Sequence, residues 1–432
     1  MAIGDENPAA ASASNPNGPS ETGVGERRAT GRALWARRLG AGIVALALAL
    51  GAVFLVATMA TEFSYQARII AWRTARFDDF ATKFAARAIP NGPETYRFRP
   101  APATTPPYLS TVTDRRGGGE TTAPLEGFLA STETTAFLVL KDDQLLYEGY
   151  FNGADRASTQ TSFSVAKSFA SALIGVAIEE GLIGGVDDPI TRYLPELAGR
   201  PGLDQIRIRH LLTMTSGLRY DGTGSKGSDD ARAYYDPDLR AVALTVQAEV
   251  PPGGRWQYNN FHPMLLGMIL ERTTGRTVSA YLSEKLWKPL GMEAPGSWSL
   301  DSRHDGFEKM ESGLNARAID FAKFGRLYLT GGTWEGRQLV PRAWVEASTR
   351  HDDPRIAGPA ISPPGDEWAR LPDYGFMWWV DPEAPGRFFA AGNFGQYIYV
   401  APDRNAVLVR FGTGYGDVDW ADVLRRLASR IS

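Results

Sequence analysis

The stretch from Leu39 to Ala60, LGAGIVALALALGAVFLVATMA, carries no charge. As a helix it would extend about 33 Å at roughly 1.5 Å per residue, enough to span the hydrocarbon core of a bilayer. It is apolar on all sides, whereas a helix lying on a soluble core keeps a polar face. Arg27, Arg28, Arg32, Arg37 and Arg38 precede it, against Arg68, Arg73 and Arg76 soon after. That excess predicts residues 39–60 as a single-pass transmembrane anchor in a cell inner membrane, with residues 1–38 cytoplasmic and the remainder periplasmic. A cleaved signal peptide is the competing reading, although its apolar region normally covers about 7–15 residues. The first 32 or so residues are rich in Ala, Ser, Asn, Gly and Pro without apolar periodicity, so the tail reads as disordered.

Composition narrows the chemistry. Of the 432 residues 43% are hydrophobic and 22% charged, so most of the chain must fold. The 46 basic and 49 acidic residues leave a net charge of −3, which gives no electrostatic footprint for nucleic acid. There is no cysteine, which excludes disulfides, thiolate zinc sites, iron–sulfur clusters and cysteine nucleophiles. A histidine-based triad or metal site would have to draw on His210, His262, His304 and His351. The chain lacks His-Glu-x-x-His, Gly-x-Ser-x-Gly and a phosphate-loop Gly-Lys pair, and no metal or organic cofactor is expected. Gly222-Thr-Gly-Ser-Lys-Gly227 matches Gly-x-Gly-x-x-Gly but lacks the strand-to-helix setting of a dinucleotide site, and reads as a surface loop.

Beyond the anchor, Ile69, Trp72, Phe77, Phe80 and Phe84 recur at helical intervals and predict a helix over residues 65–87. Residues 90–124 are rich in Pro, Thr and Gly and complete the segment 61–124 as a linker or an extended wrap. A globular pattern begins near Leu125. Strands are predicted at 136–140 and 144–150 as a hairpin, then a helix over 162–181 with one apolar face. Strands at 387–391, 396–401 and 406–411 precede a closing helix over 417–430. Strands at both ends and a mainly helical middle, about 185–370, predict an α+β domain over 125–432. It would be one antiparallel sheet flanked by helices, with an inserted helical subdomain and a cleft where the two meet.

Ser164-Val-Ala-Lys167 is the sequence signal that carries chemistry. A spacing of three on a helix stacks the two side chains on one face, so Lys167 can reach the Ser164 hydroxyl. A lysine is a competent base only when its pKa is lowered, and burial and the positive end of a helix both act in that direction. Alone the pattern is common. Tyr258-Asn-Asn260 adds Tyr-x-Asn after the turn Pro251-Pro-Gly-Gly254, although a second Tyr-x-Asn stands at Tyr150. Gly392-Asn-Phe-Gly-Gln396 opens a C-terminal strand, where glycine lets a substrate approach the backbone and edge N–H groups can face an oxyanion.

In this order the boxes resemble the serine hydrolases of the β-lactamase and penicillin-binding-protein fold. They are closest to class C β-lactamases and their esterase and 6-aminohexanoate-dimer hydrolase relatives. The likeness covers about residues 125–432 and extends to Asp187-Asp-Pro-Ile-Thr-Arg-Tyr-Leu-Pro-Glu196, His210-Leu-Leu-Thr-Met-Thr-Ser-Gly-Leu218, Pro289-Leu-Gly-Met292 and Tyr374-Gly-Phe-Met-Trp-Trp379. It implies Ser164 as nucleophile, Lys167 as general base and Tyr258 as the group that passes the proton to the leaving group. Asn260 would bind substrate, and the backbone N–H groups of Ser164 and Gln396 would form the oxyanion hole. The third box departs from the resemblance, because Asn393-Phe394-Gly395 stands where β-lactamases carry Lys-Thr-Gly and other relatives often a His or Trp. The expected activity is therefore hydrolysis of a small linear amide or ester. A β-lactamase, a D-alanyl-D-alanine carboxypeptidase or a non-catalytic surface binding module are the alternatives. His210, His262 and the Trp378-Trp379 pair read as structural, and Tyr220, just after Ser216-Gly-Leu218, is a candidate for the substrate pocket.

Overall fold

The hairpin of β1 (Thr134–Lys141) and β2 (Gln144–Tyr150) completes its sheet with strands from the far end of the chain. β3 (Trp379–Val380), β4 (Phe388–Gly392), β5 (Gln396–Ala401) and β6 (Ala406–Gly412) form a meander, and β6 closes onto β1. The result is a six-stranded antiparallel sheet in the order β3-β4-β5-β6-β1-β2. β6 and β1 are in register from Ala406 opposite Lys141 to Phe411 opposite Ala136. The computed structural model describes residues 35, 37–53, 55–56, 64–72, 80–115, 119–350 and 373–432.

β5 and β6 are buried along their whole length, which requires cover on both faces. On one face lies α3 (Ala318–Leu329), whose Phe321 meets Phe411 with ring centroids 4.7 Å apart. On the other lies α4 (Trp420–Arg430), whose Trp420 ring sits 4.2 Å from the Arg410 guanidinium. α1 (Ala166–Glu179) is buried at every residue from Ala166 to Ala177, not on the single face expected. It is enclosed between α2 (Phe261–Thr274) and α3, with Phe169 stacked on Phe324 at 3.6 Å. A smaller sheet joins Ala86–Ile89, Gly296–Ser299, Leu314–Arg317 and Thr159–Thr161 in that order, and its last strand runs into the turn that carries Ser164.

Several expectations are corrected. The helix expected over 65–87 is helical at Tyr65–Trp72 and at Phe80–Lys83, residues 73–79 lie outside the described residues, and Ala86–Ile89 is a strand. Pro90 follows directly, and Arg87 pairs with Glu308 at 2.7 Å, so pairing with 296–299 overrides helical spacing. The Pro-rich segment is a wrap: Phe98, Leu109 and Val112 are buried in the core, and Arg99 bridges to Gln144 beside β2. Residues 318–329, expected within the insertion, pack on the main sheet as α3. The stretch 351–372, with His351, lies outside the described residues.

The chain divides into two units, Met1–Met59 and Ala60–Ser432. In the first, residues 37–53 and 55–56 are helical, with exposed apolar side chains such as Leu48 and Val53. Among the described residues no helix is long and apolar enough to cross a membrane. The described run 37–53 opens on Arg37 and Arg38. Residues 54 and 57–60 of the expected anchor, and nearly all of the tail 1–38, lie outside the described residues.

Gly325 sets how closely α3 approaches the sheet. A Cβ there would fall 2.6 Å from Val407 Cγ1 and 2.7 Å from Ile398 Cγ2. Gly325→Val should cost about 1–3 kcal/mol in urea unfolding through overpacking, and an unchanged midpoint would contradict this close approach.

Candidate active site

Ser162 N donates to Leu314 O at 2.8 Å, anchoring the end of the small sheet. Phe163 then takes φ 44°, a left-handed backbone that a bulky side chain adopts only under constraint. Phe163–Val165 is a 3-10 turn and α1 starts at Ala166, so Ser164 stands in the turn before the helix and not on it. The spacing of three still works, because residues i and i+3 eclipse in a 3-10 turn. Lys167 Nζ lies 2.8 Å from Ser164 Oγ and donates to the Glu311 carbonyl at 2.8 Å. Ser164 is half-buried, whereas Lys167 is 1% exposed. Burial pushes the Lys167 pKa down to about 7, against the Glu311 and Asp230 carboxylates, which act to raise it. Near neutral pH a large share of Lys167 is thus the free amine, able to accept the Ser164 proton.

Tyr258 completes this group. Lys167 Nζ is 4.9 Å from the centroid of its ring. The ring lies parallel to Trp379 at 6.0 Å and meets Tyr374 edge-on at 6.4 Å. Trp378 and Trp379 are both buried, as expected of core residues, and Trp379 is also the platform beside Tyr258.

Asn260 and Tyr220, both expected at the substrate, converge instead on one carboxylate. Asn260 Nδ2 donates to Asp230 Oδ1 at 2.6 Å, and Tyr220 OH donates to the same oxygen at 2.8 Å. Tyr220 is 8% exposed, and burial raises its hydroxyl pKa well above the ordinary value. Asp230 was not singled out from the sequence. It follows Ser228 and Asp229 just beyond a Gly-rich loop, and nothing local marks it except the Ser228 cap on Ala231 N of the helix Asp229–Tyr235.

The third box forms the turn between β4 and β5. Phe394 and Gly395 have φ of 63° and 76°, and the Phe394 ring packs edge-on against Phe163 at 5.2 Å. Asn393 is exposed. Gln396 is fully buried, and its side chain is engaged internally: Nε2 donates to Asn393 O at 2.9 Å and Gly412 O at 2.8 Å, and Oε1 accepts from Gly412 N at 3.1 Å. Only its backbone is left for a substrate. A Cβ on Gly392, which pairs with Gln396, would fall 2.5 Å from Ser162 O and 2.9 Å from Ser164 N, so the strand end abuts the serine turn. His210 and His262 are engaged by other partners. His210 Nδ1 accepts from Arg207 N at 3.1 Å at the start of a short helix. His262 is buried against Ser216 at 2.6 Å, with its pKa pushed down to about 3.

Residues 125–429 match the family model described as Beta-lactamase. The chain is similar to the 6-aminohexanoate-dimer hydrolase of Paenarthrobacter ureafaciens, 29% identical over 304 residues that cover 67% of this chain and 75% of that protein. It is also similar to the esterase EstB of Burkholderia gladioli, 31% identical over 199 residues, 39% of this chain and 50% of that protein. Among solved structures, a Bacillus anthracis protein assigned as a 6-aminohexanoate-dimer hydrolase superposes with a TM-score of 0.70 at 26% identity, covering 82% of this chain and 92% of that one.

Labelling of Ser164 by a fluorophosphonate should accelerate with pH and level off above about pH 7, as Lys167 loses its proton. A rate that stays flat from pH 5 to 9 would remove Lys167 as the base. Lys167→Met should slow labelling by about 10²–10⁴-fold while the fold, followed by circular dichroism, persists.

Proposed function

The chain belongs to the beta-lactamase family, and on that footing we propose that this serine hydrolase cleaves the amide or ester bond of a small linear substrate through an acyl-enzyme on Ser164. The observation that carries the proposal is the buried Lys167 amine, 2.8 Å from Ser164 Oγ and with its pKa near neutrality. Ser164 attacks the carbonyl carbon as its proton passes to Lys167. The charge that develops on the carbonyl oxygen is met by the N–H groups of Ser164 and Gln396, at the meeting of the β4–β5 turn with the serine turn. Tyr258, beside Lys167, gives its proton to the leaving amine or alcohol and regains one from the Lys167 ammonium; water then attacks the acyl carbon, its proton passing to Lys167 and on to Ser164 Oγ as the free acid leaves. No metal or organic cofactor enters these steps.

The charges around Ser164 favour a substrate without a carboxylate at this position. Asn393-Phe394-Gly395 supplies no cation, while Asp230 adds a carboxylate beside Asn260 and close enough to act on Lys167. A β-lactam or a D-alanyl-D-alanine terminus would meet that carboxylate without compensation, whereas a neutral or amine-bearing chain would not. The names of the Paenarthrobacter and Burkholderia relatives support an amide or ester substrate.

Attachment to a membrane through residues 39–60, with the hydrolase domain periplasmic, belongs to the same proposal. It is supported by the charge-free run, its arginine-rich flank and the exposed apolar side chains of its described part.

Mass spectrometry after fluorophosphonate treatment should find the adduct on the Ser164 peptide, and a folded protein without it would leave the binding-module reading. In a panel of p-nitrophenyl esters, linear amide dimers and nitrocefin, the first two should turn over and nitrocefin only slowly. Rapid nitrocefin hydrolysis would overturn the charge argument. After carbonate extraction the full-length chain should stay with the membrane pellet, and its release would remove the anchor.

A further inference from the structure

Beneath the β4–β5 turn lies a guanidinium with no salt-bridged carboxylate among the described residues. Arg410, on β6, is fully buried. Its Nη1 donates to Phe394 O at 2.7 Å and Gly395 O at 2.8 Å, and its Nη2 to Thr132 O and Gly414 O, each at 2.8 Å. Nε reaches Thr134 Oγ1 at 3.2 Å, and the Trp420 ring covers the group at 4.2 Å. Two glycines make the room: a Cβ on Gly395 would lie 2.2 Å from Nη1, and one on Gly412 2.4 Å from Nη2. Burial pushes the Arg410 pKa down to about 9, which leaves it charged at neutral pH. Four main-chain carbonyls therefore surround a buried cation, an expensive arrangement where an apolar residue could fill the space.

Two of those carbonyls matter for chemistry. The carbonyl of Gly395 and the N–H of Gln396 belong to one planar peptide and point in opposite directions, so whatever fixes the carbonyl also aims the N–H. We propose that Arg410 is a positioning residue, holding the Phe394 and Gly395 carbonyls so that the Gln396 N–H is fixed and polarised toward the oxyanion of the reaction. The proposal rests on the reading of Gln396 N–H as an oxyanion donor. The charge acts through the amide, because drawing electron density toward the carbonyl oxygen makes the opposite N–H a stronger donor. Gln396's own side chain closes the same unit from the other end by bonding Asn393 O and both polar groups of the Gly412 backbone.

The test compares wild type, Arg410→Gln and Arg410→Lys in the full chain, using a p-nitrophenyl ester and its thiono analogue, whose sulfur is a poor hydrogen-bond acceptor. Wild type should prefer the oxygen ester. Arg410→Gln should lower kcat for that ester by about 10–100-fold with KM changed little, and should reduce the preference for oxygen over sulfur by a similar factor. Arg410→Lys, which keeps the charge but not the fork, should recover part of both. Loss of stability alone would not shift the oxygen-to-sulfur ratio. A folded variant with an unchanged ratio, or the failure of both variants to fold, overturns the proposal and leaves Arg410 as a tie between sheet and loops. Wild type that neither turns over the ester nor labels at Ser164 would overturn the hydrolase reading itself, and the proposal with it.

Discussion

A lysine enclosed by protein holds its proton less tightly than in water unless a carboxylate pairs with it, and the arrangement around Ser164 follows from that constraint. Lys167 is buried because α1 passes through the centre of the domain between α2 and α3, without a polar face to turn to solvent. The cost of the charge is met only in part: the Glu311 carbonyl takes one hydrogen bond, and the Tyr258 ring lies within cation–π range. This intermediate compensation leaves the group near its midpoint at neutral pH. A salt bridge directly to Lys167 would hold it charged, and full apolar enclosure would hold it neutral well below pH 7. Glu311 offers its backbone to Lys167 while its side chain is engaged by Lys309 at 2.9 Å and Ser312 at 2.8 Å.

The parts of the site that could be read from the sequence are those carried by short local spacings. Ser164 and Lys167 meet because they are three residues apart, whether the first stands in a helix or in the 3-10 turn that precedes one. The three C-terminal strands and the first hairpin are apolar runs separated by turns, clear enough to be found. Partners that meet only through tertiary packing were not legible. Asp230, Tyr220 and Asn260 come from three separate segments, and no local pattern says that one carboxylate oxygen receives both donors. Arg410 reads in sequence as an interruption of an apolar strand, and its use emerges only with the turn 394–395 above it. Helical spacing over 65–87 misled because pairing with 296–299 outweighs it at Ala86–Ile89.

Placing Ser164 before α1 has a structural cost that the surroundings meet. Phe163 at positive φ is held by its edge-on contact with Phe394 and by the Ser162 bond to Leu314. The same contact ties the serine turn to the β4–β5 turn. Movement of one turn is thus resisted by the other, and Arg410 lies behind the second.

The β6–β1 pairing also orders events in time. β1 ends at Lys141, yet its partner on the side of the site is not complete until Gly412, and α1 lies between them in sequence. A chain emerging from the ribosome therefore carries Ser164 and Lys167 long before it has the strands that support them or the turn of Gln396. Contacts of such long sequence separation form slowly, since loop closure must precede the gain from pairing. The nascent chain thus holds its serine and lysine in an incomplete domain, and the full constellation assembles only once the last part of the sheet has been made.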